Sequence, residues 1–287
     1  MIRTFTALTR QIRRSYCVTA KRASIIHTLK EQSPKINEAD VTSLLDHAPE
    51  LSHYNPELWR KSYDFLISQQ NFSLDSYLKI IALYPKILTT SHEIIFKQLE
   101  AWRACQFGER RFQDLITKHP ALIQHGNEKK LTRRMGFLQS FVTTPKNVWR
   151  IMMSSPEVAI EPEPIIEAKF KYLMEEMLLE VPEIVDSDVF SHTLEHIKMR
   201  HIFLDRLGMY KYRNPKKDIR HEKRTNPKLS QIVDTSDKRF ACKICYVTLE
   251  EYEIFKVLIK REWQRKEIHD EDENFDDLRI DQGIDNI

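Results

Sequence analysis

Apolar residues along this chain recur three or four positions apart over short segments, and each run stops at a proline or a glycine. Ile95, Leu99 and Trp102 mark one stripe, Gly108 interrupts it, and Phe112, Leu115 and Ile116 mark another before Pro120. Leu74, Tyr77, Leu78 and Ile81 repeat the design ahead of Pro85. Such spacing puts the apolar side chains on one face of an α-helix, and a proline, having no amide hydrogen, ends the helix before it. No strand-turn-strand rhythm is present. Start signals agree: Thr144 before Pro145 suits a cap ahead of a first-turn proline, and Thr248 with Glu251 has the spacing of a capping box.

The helical segments repeat. A proline followed by aliphatics recurs as HAPEL at Pro49, LYPKIL at Pro85, KHPALI at Pro120 and SSPEVA at Pro156, in steps of 36, 35 and 36 residues. EVPEIV at Pro182 and NPKLSQIV at Pro227 follow in steps of 26 and 45, a change of register whose sum is again about two units. Each unit reads as a helix pair closed by a proline turn. One pair cannot bury its own apolar stripe, so neighbouring pairs must stack, which predicts an all-α superhelical solenoid over residues 40–265.

Composition supports helices: only five glycines occur in 287 residues, and charged residues make up 30%. No apolar run approaches the roughly 20 residues that a membrane-crossing helix needs, so no span is expected. Cys17, Cys105, Cys242 and Cys245 are too scattered to frame a disulfide scaffold and read as thiols. Net charge is only +3, but its distribution is uneven. Arg3, Arg10, Arg13, Arg14, Lys21 and Arg22 crowd a start that has no acid before Glu31. Among hydroxyl residues and with Ile2, Phe5, Leu8 and Ile12 at helical spacing, that start has the character of a mitochondrial transit peptide. The first 25 residues are therefore set outside the fold, the alternative being a basic arm that touches nucleic acid. Residues 266–287 are acidic and are expected to form a disordered tail. The body between these ends is basic and suits a polyanion.

The proline-aliphatic phrase at steps of about 35 residues resembles the mitochondrial transcription termination factor (mTERF) repeat family. HIFLDRLGMY, NPKLSQIV and the TLEEYEIFKVLIKRE helix resemble its fourth animal branch most closely. The resemblance covers about Leu44 to Arg265. It implies a helical solenoid of the mitochondrial matrix that binds nucleic acid on a basic face. For the fourth branch it also implies a heterodimer with an S-adenosylmethionine-dependent RNA cytosine-5 methyltransferase, which the solenoid brings to large-subunit ribosomal RNA.

Candidate contacts follow from the charges. Arg60, Lys61, Lys97, Arg103, Arg110, Arg111, Lys129, Lys130, Arg133, Arg134, Lys169, Lys171, Lys198, Arg200 and Arg206 cluster in corresponding parts of successive units and would meet phosphates if stacking aligned them. The cluster from Lys129 to Arg134 has only Glu128 beside it. Ordinary solvated helix faces are the competing explanation. Neither an RNA-recognition-motif strand nor a KH glycine loop is present, so recognition by shape and phosphate is favoured over base-by-base reading. On the C-terminal helix Tyr252, Phe255, Leu258, Ile259 and Trp263 form an apolar stripe that is either core or a docking face for the methyltransferase, with Trp263 the leading contact.

Three other constellations were weighed. His192, Glu195 and His196 spell the inverted zinc-peptidase motif, with His201 nearby, but the flanking residues read as ordinary helix filling. Cys242 and Cys245 lack the further ligands that a zinc site needs. No glycine-rich phosphate loop or dinucleotide fingerprint exists, so any methyl transfer must come from a partner, and no cofactor is expected. The sequence therefore points to a non-catalytic RNA-binding adaptor in mitochondrial ribosome assembly. The alternatives are a regulator of transcription that binds mitochondrial DNA and a metallohydrolase built on His192 and His196.

Overall fold

The computed structural model describes residues 19–212 and 226–281, with side chains up to residue 265 in the second stretch. Every regular element among the described residues is helical. In order, α1 covers 19–32. It is followed by α2 (Glu38–His47), α3 (Pro56–Tyr63), α4 (Leu74–Leu83), α5 (His92–Arg103), α6 (Glu109–Lys118), α7 (Glu128–Val142) and α8 (Pro145–Ser154). The remainder are α9 (Glu163–Lys171), α10 (Val181–Val185), α11 (Leu194–Arg206), α12 (Leu229–Val233), α13 (Asp237–Arg239) and α14 (Leu249–Asp281). The chain divides into two compact units at Ile160 and Glu161.

In the first unit the helices sort into two layers. First helices of each pair meet first helices, α5 against α7, while second helices meet second helices, α2 on α4, α4 on α6 and α6 on α8. Short helical turns at Pro49–His53, Pro85–Leu88, Pro120–His125 and Pro156–Ala159 close the pairs. The residue before each proline explains the closure. Ala48, Tyr84, His119 and Ser155 all take φ between −129° and −141° with ψ between 64° and 79°. The proline ring excludes the helical conformation there. Their own amides still donate to the helix, at 2.7 to 2.9 Å. The aliphatics after each proline then drop into the core, as Leu51, Ile87, Leu122, Ile123 and Val158 do. Trp102 is fully buried and its indole N–H donates to Leu122 O at 2.9 Å, tying a first helix to the turn of its own pair.

The link between the helices of a pair has its own signature. Asn71, Gln106, Thr143, Leu178, Gly208 and Tyr246 all have positive φ, in steps of about one repeat. At Asn71, Leu178 and Tyr246 the preceding helix widens into a π turn, and the following amide reaches back six residues: Phe72 N to Leu66 O, Leu179 N to Leu173 O, Val247 N to Ala241 O. These bonds satisfy part of the carbonyls that a helix end leaves unpaired. Gly126 serves a different need, since a Cβ there would meet the backbone of Gln98 on α5 at 2.3 Å.

The second unit packs α9 on α11 and gathers α12, α13 and α14 around α11. Phe203 on α11 lies 4.9 Å from Tyr252 and 4.7 Å from Phe255 between ring centroids, and Phe240 completes the cluster. The predicted Thr248–Glu251 capping box forms, with Thr248 N donating to Glu251 Oε2 at 2.7 Å and Glu251 N to Thr248 Oγ1 at 3.2 Å.

The structure differs from the sequence reading at both ends and at the two later prolines. The fold starts before residue 25: Ile25 and Leu29 are fully buried, and Arg22 donates to Asp46 at 2.7 Å and to Leu45 O at 2.8 Å. Residues 1–18 lie outside the described residues. The acidic segment 266–281 continues α14 with helical backbone. The far end, 282–287, lies outside the described residues. Pro182 does not close a pair but starts α10, and Pro227 stands just before α12; the fifth closing turn is Val189–Ser191, without a proline. This accounts for the irregular spacing.

Candidate nucleic-acid interface

The strongest basic surface lies on α7. Asn127 caps the helix, its side chain accepting from Lys130 N at 3.0 Å, while Leu131, Met135, Leu138 and Val142 bury one face. The opposite side then presents Lys129, Lys130 and Arg133, all exposed. Arg134 is half-buried, its guanidinium 5.8 Å from the Phe137 ring, which itself meets Phe141 edge-on at 5.4 Å. Lys129 and Lys130 stand in the first turn, where the helix dipole disfavours cations by about 0.3–1 kcal/mol each. Each also has a like charge four residues on, which costs a few tenths more. Lys97 is exposed on α5, the neighbouring helix of the same layer.

A second group surrounds Trp149 of α8. Its indole N–H donates to Arg111 O at 2.8 Å, and the Arg111 guanidinium sits 5.8 Å from the ring, with Arg110 exposed beside it. Lys61 on α3 is exposed, and Lys198 on α11 is half-buried, 5.5 Å from the Tyr172 ring.

The remaining sequence candidates are corrected. Lys169 is 2% exposed, with Nζ donating to both oxygens of Glu161 at 2.9 and 3.0 Å and to Phe190 O at 2.9 Å. Arg200 is 1% exposed, donating to Ile232 O at 2.6 Å and to Asp237 Oδ1 at 2.7 Å with its guanidinium over Phe240. Both are internal ties that charge and repeat position could not separate from surface cations. Arg60 is held by Glu57, Arg103 by Glu100, Glu109 and Gln70, Lys171 by Glu167, and Arg206 by Glu262. A phosphate would have to displace a carboxylate from each.

The expected docking stripe on α14 is also corrected. Tyr252, Phe255 and Ile259 are 1%, 9% and 2% exposed, because they fill the cluster around Phe203, and Trp263 is half-buried. The exposed apolar side is instead Ile254, Val257 and Leu258, between 49% and 60% exposed. α14 is apolar on two sides, a pattern that a reading for one stripe merges.

His192 and His196 stack at 4.7 Å, but their Nε2 atoms lie 3.1 Å from Asp234 Oδ1 and 3.1 Å from Val233 O, and Glu195 pairs with Lys260. His201 points elsewhere: Nδ1 is 2.8 Å from Tyr172 Oη and Nε2 is 3.3 Å from Tyr212 Oη. Burial pulls its pKa down to about 4 against a smaller opposing effect of Asp205. No group of three or more metal-ligating side chains occurs among the described residues. None of the described helices is long and apolar enough to cross a membrane. Cys105 and Cys245 are buried, which pushes each thiol up to about 12, whereas Cys242 is exposed.

Comparison with known proteins gives two findings. The mTERF family model matches residues 68–241. The protein described as "Transcription termination factor 4, mitochondrial" from Mus musculus is 25% identical over 179 residues, 62% of this chain and 51% of that protein. The chain thus spans about half the length of this curated relative.

Proposed function

The chain belongs to the mTERF family, and from that membership we propose that it is a non-catalytic RNA-binding adaptor of the mitochondrial matrix. Its task is to bring an RNA cytosine-5 methyltransferase to the large-subunit ribosomal RNA, in ribosome biogenesis and mitochondrial translation. The likeness to a mitochondrial relative supports the location. The observation that carries the binding is α7, whose exposed Lys129 and Lys130 stand in the first turn, a position unfavourable to cations, with Arg133 exposed on the same helix. Such charges are offset when phosphates replace their counterions. Lys97, Arg110, Arg111 and Lys61 belong to the same unit and extend the contact.

Substituting Lys129→Glu and Lys130→Glu together tests this cleanly, since acids in a first helical turn stabilise the helix and the variant must fold. RNA affinity should fall severalfold at moderate salt, and the slope of log affinity against log salt should flatten by roughly 1.5 units. Equal affinity and slope in the variant would sink the reading. A second reading, a regulator of mitochondrial transcription bound to double-stranded DNA, is favoured by the relative's description as a termination factor. Crosslinking in mitochondria separates the two: ribosomal RNA supports the adaptor, and enrichment of defined DNA sites replaces it with the regulator.

A further inference from the structure

The second unit carries an open groove formed by α12, α13 and the helical turn that follows α13. Lys238, Arg239, Cys242 and Lys243 line it together with Gln231, Ser236 and Ile244. The nearest acids are already engaged: Asp237 receives Arg200 at 2.7 Å and Lys256 at 2.8 Å, and Asp234 faces His192 at 3.1 Å. Among the described residues no carboxylate pairs with Lys238, Arg239 or Lys243. Positions 239 and 243 are one helical turn apart, so the groove holds adjacent cations on one side.

Tyr246, two residues along the chain from Ile244 of the groove lining, is 81% exposed and at φ 56°. A left-handed backbone favours glycine, and an aromatic ring left in water contributes nothing to the core. Folding therefore gives no reason for a tyrosine here. An exposed ring so near in the chain to a groove lined by cations suits an unpaired nucleotide, whose base has a free face to stack and whose phosphate has a charge to neutralise.

We propose that this groove binds single-stranded RNA, with Lys238, Arg239 and Lys243 holding a backbone phosphate and the Tyr246 ring stacking an adjacent base. The site rests on the RNA reading above and adds to it a preference for unpaired over duplex RNA. It also gives the Cys242 thiol a position that bound RNA covers.

The test uses the full chain with Cys17 replaced by serine and a labelled single-stranded RNA of about 12 nucleotides, a length within known single-strand site sizes. A duplex of the same sequence is the control. Tyr246→Gly removes the ring and relaxes the backbone, so a folding defect cannot mimic the result. It should lower single-strand affinity roughly tenfold and leave duplex affinity unchanged, while Tyr246→Phe keeps wild-type binding. Single-stranded RNA should also slow alkylation of Cys242. Wild-type affinity in Tyr246→Gly with unprotected Cys242 overturns the site. If the two-lysine variant of α7 is then still impaired, the general RNA reading survives; if wild-type protein binds neither RNA, both fall. Protection of Cys242 by a protein partner but not by RNA also overturns it and makes the groove a protein contact.

Discussion

Thr143 shows how much a single residue can hold back. It joins α7 to α8 with φ 63° and ψ −32°, and Thr144 N donates across it to Val142 O at 2.8 Å, a γ-turn that β-branched residues resist. Thr143→Gly should therefore raise stability by about 1 kcal/mol in a denaturant titration, and a loss would show that the threonine hydroxyl, 2.8 Å from Val142 O, outweighs the strain. His201 acts in the opposite sense, through protonation. Its folded pKa, pulled down by burial to about 4, lies below the unfolded value, so the folded state binds the proton less readily. Stability from this group is fully present above about 6.5 and declines as pH falls toward about 4. In His201→Phe that part of the pH dependence should disappear; an unaltered profile between pH 4 and 6.5 would place the effect elsewhere. Neither residue stands out in the sequence, because a threonine in a loop and a histidine in a helix are both commonplace.

At the scale of elements, the turns organise the molecule. Proline turns end the second helices by excluding helical backbone from the residue before them, which is a local effect and therefore visible as a spaced phrase. Positive-φ links end the first helices using Asn, Gln, Thr, Leu, Gly or Tyr, so no single residue type announces them. Arg200 is the side-chain counterpart of these links: from α11 it satisfies the carbonyls of Ile232 and Val233 at the end of α12 and pairs with Asp237 on α13. Arg200→Ala would leave the Ile232 carbonyl without its side-chain donor and Asp237 without its buried partner, and should cost about 3 kcal/mol, read as a lower midpoint in thermal unfolding. A change under 0.5 kcal/mol would mean that Lys256, 2.8 Å from Asp237, carries the tie instead.

For the whole molecule the question is which surfaces remain once the layers have closed. Fifteen cations and a C-terminal stripe were candidates in the sequence, and packing sorts them by what lies opposite. Lys169 and Arg200 face carbonyls, Arg103 and Arg206 face acids, and α7 faces water. On α14 the same sorting buries Phe255 and exposes Val257 and Leu258. If the proposed methyltransferase docks on this exposed apolar face, Val257→Asp with Leu258→Asp should leave the unfolding midpoint unchanged yet release the enzyme in co-purification. Retention of the enzyme by this variant would remove that face from the proposed complex.

Helix periodicity, the repeat of about 35 residues and the caps at Thr144 and Thr248 were determined by the sequence alone. Each depends on neighbours within a turn or two of chain, so the pattern carries the physics. Which lysine meets a phosphate and which a buried carbonyl, and which face of α14 turns outward, were decided only by tertiary packing. Charge and hydrophobicity are properties of a residue, whereas burial belongs to what the rest of the chain brings against it.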